Sequence, residues 1–160
     1  TLLHRFFSNC DITYGVIFPD RNSNYTPQEI GVYCQEHNIS YMPFPLKYRF
    51  RDPRNFEAYY RIVSMINAMK PDVVFVANFD QLYLSLMLLL LDRNKTIIGL
   101  HDVENHSNTA FGKLATLAKT ILLKNFRNFL TYSLHQKEAL NAAHQGKNVA
   151  APERTGCARQ

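Results

Sequence analysis

The chain runs to 160 residues, 46% of them hydrophobic and 19% charged, the composition of an ordinary folded domain with a real core. Its longest apolar run, residues 86–91, sits between Ser85 and Asp92 and is too short to span a bilayer, and no signal-peptide pattern opens the chain. The formal net charge of +5 is uneven: residues 1–110 carry 10 basic and 11 acidic side chains, and residues 111–160 carry 8 basic and 2 acidic. That split predicts one basic face suited to phosphates or an anionic membrane surface.

In chain order, residues 1–9 place Leu2, Leu3, Phe6 and Phe7 at helical spacing, which reads as the tail of a helix whose beginning is missing. Residues 14–18 form a strand closed by Pro19, Asp20 and a turn. Thr26-Pro27-Gln28-Glu29 starts a helix: Thr26 caps, Pro27 takes the first helical position, and Glu29 reaches back as the acidic member of a capping box. That helix should run to about His37, before a strand over 39–44 that Pro43 and Pro45 place near an edge. Residues 47–54 interleave aromatic and basic side chains in a loop, either to grip phosphates, sugars or headgroups or simply as a solvated connection.

Asn55 should cap a helix burying Phe56, Tyr59, Tyr60, Val63 and Ile66 and stopped by Lys70-Pro71. Residues 72–77 are the clearest strand, followed by a leucine-rich helix over 81–91 that is apolar nearly all round and belongs to the core. A β-branched strand at 96–100 ends abruptly in His101-Asp102 and a polar loop. A helix over 112–126 puts Leu114, Leu117, Ala118, Ile121 and Leu122 on one side and Lys113, Lys119, Lys124 and Arg127 on the other. Residues 129–132 are a last strand, and Ser133 caps a helix over 136–143.

Strands near 14, 40, 73, 97 and 130 alternating with helices predict an α/β fold: a Rossmann-like open parallel sheet of about five to six strands with helices on both faces. One domain should occupy residues 1–145, with a disordered tail at 146–160.

Cys10, Cys34 and Cys157 are scattered without C-x-x-C spacing, which suggests neither a zinc knuckle nor a disulfide framework and fits a reducing, cytoplasmic setting. No G-x-G-x-x-G, phosphate-loop or G-x-S-x-G motif occurs, so a dinucleotide site, a P-loop and a hydrolase elbow are unsupported. His101, Asp102, Glu104 and His106 do not have a recognised zinc spacing, and no metal is expected. The site chemistry instead falls at strand ends, where open parallel sheets hold ligands. His101 and Asp102 are the catalytic candidates, the histidine bonding a hydroxyl or phosphate and the aspartate orienting it or fixing the loop. Asn78, Asp80, Asn105, His106 and Ser133 are candidate substrate-binding residues, although Asn, Asp and Ser at such places also serve simply as helix caps. Lys113, Lys119, Lys124 and Arg127 are candidates for contact with a membrane surface, or merely a solvated helix face.

Taken together, Lys70-Pro71-Asp72-Val73-Val74-Phe75-Val76, Thr96-Ile97-Ile98-Gly99-Leu100-His101-Asp102-Val103 and Phe129-Leu130-Thr131-Tyr132-Ser133-Leu134-His135-Gln136-Lys137-Glu138-Ala139-Leu140 resemble, over about residues 12–145, the amino-terminal half of retaining GT-B-fold glycosyltransferases of the family 4 type. The resemblance implies an acceptor-side domain, with the nucleotide-sugar donor held mainly by a second domain. It matches His101 to the histidine near the transferred sugar and Ser133 to the turn lining the cleft. It implies no metal ion, a glycan or lipid-linked acceptor, no nucleic-acid partner, and work at the cytoplasmic face of a membrane. The family's first strand should precede Thr1, and its E-x7-E donor motif is absent, no two glutamates being eight apart. A truncated, inactive half of a hexosyltransferase is therefore the expectation. A non-catalytic receiver-like or partner-binding α/β domain is the alternative, with Asp20, Asp80 and Asp102 as its acidic candidates but no lysine closing the last strand, where Tyr132-Ser133 stands. Sugar-nucleotide epimerases of the same double-domain build are a third.

Overall fold

A computed structural model describes residues 10–19, 25–77, 82–100 and 110–151. The chain divides into two compact units, Thr1–Ala58 and Tyr59–Gln160. The α/β class holds, since every strand pair among the described residues is parallel. Among the described residues the strands make one sheet of two and one of four, where one sheet of five to six was expected. Alternating patterns tell which segments are extended, but ladder partners are non-local, and nothing within a strand names its neighbour.

In the first unit, β1 (Thr13–Phe18) pairs with β2 (Ser40–Pro45) in the register Thr13↔Ser40 to Phe18↔Pro45. Both strands of a two-stranded sheet are edges, which is where Pro43 and Pro45 can omit their N–H groups. Between them, α1 (Pro27–Glu36) begins with the expected capping box: the Glu29 N–H donates to Thr26 Oγ1 at 3.2 Å, and the Thr26 N–H donates to Glu29 Oε2 at 2.7 Å. Such a cap contributes about 1 kcal/mol to a helix start. Phe18, Cys34 and Leu46 are buried here, and burial pushes the Cys34 thiol up, away from the reactive thiolate.

The aromatic and basic loop that follows is tied to itself. Arg54 donates through Nε and one Nη to the Asp52 carboxylate at 2.9 and 2.7 Å, and its guanidinium lies 3.9 Å from the Tyr48 ring centroid. Hydrogen bonds from Arg54 hold the Asp52 carboxyl at about 2, below its ordinary 3.8. A depressed native pKa means that the stabilisation is complete above pH ~4 and is lost as pH falls through the native value. The Asp52 carboxyl should therefore titrate with an NMR midpoint of about 2, and Arg54→Gln should return it toward the ordinary range. An ordinary midpoint in the unsubstituted chain would contradict the pairing.

Asn55 does not cap the next helix. Asp52 does so one turn earlier, accepting from the Arg54 N–H at 2.9 Å ahead of a 3-10 turn, Pro53–Asn55. The Asn55 amide instead donates to the Tyr48 and Arg49 carbonyls at 3.2 and 2.7 Å, holding the loop from beneath. In α2 (Phe56–Met69) the buried positions are Tyr59, Ile62 and Val63, whereas Phe56 and Tyr60, expected inside, are exposed.

The second unit contains β3 (Val74–Val76), α3 (Leu82–Leu88), β4 (Thr96–Leu100), α4 (Ala110–Asn125), β5 (Asn128–Thr131), α5 (Leu134–Ala143) and β6 (Asn148–Ala150). Its sheet runs β3-β4-β5-β6 in chain order. Ile98, Leu100, Leu122, Phe126, Phe129 and Leu140 are buried almost completely and form the centre of its core. Helix α3 packs on α4 and buries Leu84, Met87 and Leu88, as its nearly uniform apolar surface implies.

Strand β6 lies inside the segment expected to be a tail. Asn148, Val149 and Ala150 pair with Asn128, Phe129 and Leu130, and the Asn148 amide donates to Asn128 Oδ1 at 2.9 Å. Three residues give no readable periodicity, so this strand exists through its partner. The expected stretches at 1–9 and 152–160 lie outside the described residues.

Candidate functional site

Three neighbouring strands end at one edge of the sheet. Val76 pairs with Ile98, and Leu100 pairs with Thr131, so the carboxyl ends of β3, β4 and β5 lie side by side. In sequence, those ends lead directly to Asn78 and Asp80, to His101 and Asp102, and to Ser133. Of these, Asn78, Asp80, His101 and Asp102 lie outside the described residues, as do Asn105 and His106.

Ser133 is described, and its position follows from ordinary capping chemistry. It sits in an extended conformation at the start of α5, and its Oγ accepts the Gln136 N–H at 3.2 Å. Just before it, Thr131 is buried in the sheet and its single hydroxyl proton is shared between the Ser133 and Ala150 carbonyls, 3.2 and 3.3 Å away. The turn after β5 is thus fixed from both sides.

Tyr132 was not singled out by sequence, and it shapes this edge. The Gln136 Oε1 accepts its backbone N–H at 3.3 Å. Its side chain reaches toward β4, where a Cβ built on Gly99 would lie 3.2 Å from Tyr132 Oη and 3.2 Å from Phe75 Cζ. Gly99 therefore lets two aromatic side chains close over the last residues of β4, immediately before His101. Partial burial there pushes the Tyr132 phenol above its ordinary range. The available signal was the glycine itself, standing inside an otherwise bulky strand. Gly99→Ala should shift the Tyr132 ring resonances and cost about 1 kcal/mol, because only flexible ring ends need move. Unchanged resonances would contradict the close approach.

The basic helix is divided differently from the expected pattern. Lys113, Lys124 and Arg127 are exposed, but Lys119 is half-buried. On the apolar side, Ala118 and Leu122 are buried together with Leu123, whereas Leu114 and Leu117 are 45% and 48% exposed. Beside Arg127, Lys147 donates to the Phe126 carbonyl at 2.8 Å; burial and then the Arg127 charge lower its pKa.

Among the described residues, no group of three His, Cys, Asp or Glu side chains is placed to hold a metal ion. No described helix is long and apolar enough to cross a membrane. No protein-family model, curated protein or solved structure matches the chain.

Proposed function

We propose that the chain supplies the acceptor-side α/β domain of a nucleotide-sugar-dependent glycosyltransferase of the hexosyl type, one Rossmann-like half of a GT-B architecture. The observation that carries this reading is the shared carboxyl edge of β3, β4 and β5, the place where an open parallel sheet holds its ligand. In sequence, the three motifs that resemble the glycosyltransferase family include the ends of these strands, at Val76, at Leu100 before His101-Asp102, and at Thr131 before Ser133.

In this reading His101 hydrogen-bonds a hydroxyl or phosphate of the reacting groups, and Asp102 orients the imidazole or fixes the loop. Asn78, Asp80, Asn105, His106 and Ser133 line the acceptor cleft. The nucleotide sugar is held mainly by a second domain, and the acceptor is a glycan or a lipid-linked saccharide. The domain works in the cytoplasm, peripherally at the inner face of the membrane.

Two additions to the isolated chain separate this reading from its rivals. UDP-glucose followed by NMR should produce no saturable shifts, and acetyl phosphate should leave no acid-labile phosphate on Asp80 or Asp102. Saturable nucleotide-sugar binding would move the donor site into this chain and overturn the acceptor-side assignment. An acyl phosphate would replace the transferase reading with a receiver.

A further inference from the structure

We infer that α4 docks on an anionic lipid surface through an exposed pair of leucines bordered on one side by lysines, inserting apolar side chains as well as attracting charge. Helical geometry advances about 100° per residue. Leu114 and Leu117 therefore fall within about 60° of each other, with the half-buried Ile121 between them. Lys113 and Lys124 fall within about 20° of each other along one border of that strip.

This strip adjoins the face that builds the core but lies outside it, Ala118 being about 40° from Leu114. Ala118, Leu122 and Leu123 point into the second unit and are at most 5% exposed. A helix that has already buried one apolar face and still exposes two leucines beside lysines has the side-chain arrangement of an interfacial helix, with apolar groups inserting below the level of the headgroups.

Charge chooses the occupant. No Asp or Glu occurs from Asn105 to Lys137, and Arg127, just past the helix end, is exposed and adds a third cation. An anionic surface is complementary to this face, and a surface of zwitterionic lipid offers the strip no counter-charge. The half-buried Lys119 contributes less than the evenly basic face expected from sequence. The inference rests on the membrane-surface part of the proposed function and not on its sugar chemistry, so vesicle binding and sugar transfer can fail independently.

The test is co-sedimentation of the 160-residue chain with vesicles of equal parts phosphatidylcholine and phosphatidylglycerol, beside vesicles of phosphatidylcholine alone. Binding is expected only to the mixed vesicles, weakening with salt but not vanishing, because insertion is not screened. L114Q/L117Q should weaken binding by about tenfold or more. K113Q/K124Q should weaken it by a similar factor and flatten the salt dependence. R93Q, in the turn before β4, should bind as the unsubstituted chain does. Circular dichroism checks that each variant keeps its helices, which is expected because every substituted side chain is exposed. No binding to the mixed vesicles, or undiminished binding by a folded L114Q/L117Q variant, would overturn the inference.

Discussion

Phe129→Ala is expected to lower the stability of the second unit by about 3–5 kcal/mol, measured by urea unfolding. Phe129 is 1% exposed and stands in β5, paired on one side with Ile98 and on the other with Val149. Removing the ring leaves a cavity on one face of the sheet, and because β5 is hydrogen-bonded along both edges its backbone cannot move to fill it without distorting a ladder. The loss should be felt along the whole edge that carries the candidate site, because β5 links β4 to β6 and leads into the Ser133 turn. Leu90→Ala gives the contrast. That side chain is 50% exposed, and its removal should change stability by less than about 0.5 kcal/mol. Near-equal effects of the two substitutions would contradict a core centred on β5.

The elements were more legible in the sequence than their assembly. Thr26 with Glu29, and Ser133 with Gln136, are local hydrogen-bonding patterns that a few residues determine, and both appear as expected. The five strands expected from apolar runs are all present. Strand β6 was not legible, because Asn148–Ala150 has no pattern apart from its pairing to β5. Nor was the division of strands between two sheets, since ladder partners depend on the whole chain.

Faces of helices were legible only in part. The period of α2 is helical as expected, but its buried stripe takes Ile62 and leaves out Phe56 and Tyr60. In α4 the wheel gathers five apolar residues on one side, while packing covers Ala118 and Leu122 and leaves Leu114 and Leu117 exposed. A hydrophobic pattern states what can be buried; the neighbouring elements decide what is. At the candidate site, the strand-end positions came directly from the sequence. Gly99 was visible as a strand glycine, but the side chains it admits, Phe75 and Tyr132, come from other strands and could be named only from the fold.

The proposed function makes the carboxyl edge of β4 one wall of a sugar-transfer site and gives His101 a part in the transfer. The most direct test is turnover of the complete transferase carrying His101→Ala, compared with His101→Gln to retain a hydrogen-bonding side chain. A group that aids the transition state should be worth at least about tenfold in kcat/KM, or about 1.4 kcal/mol. The expected result is a loss of that size or greater for alanine, with kcat falling more than KM rises and a partial recovery in the glutamine variant. Undiminished transfer by a folded His101→Ala enzyme would contradict the account.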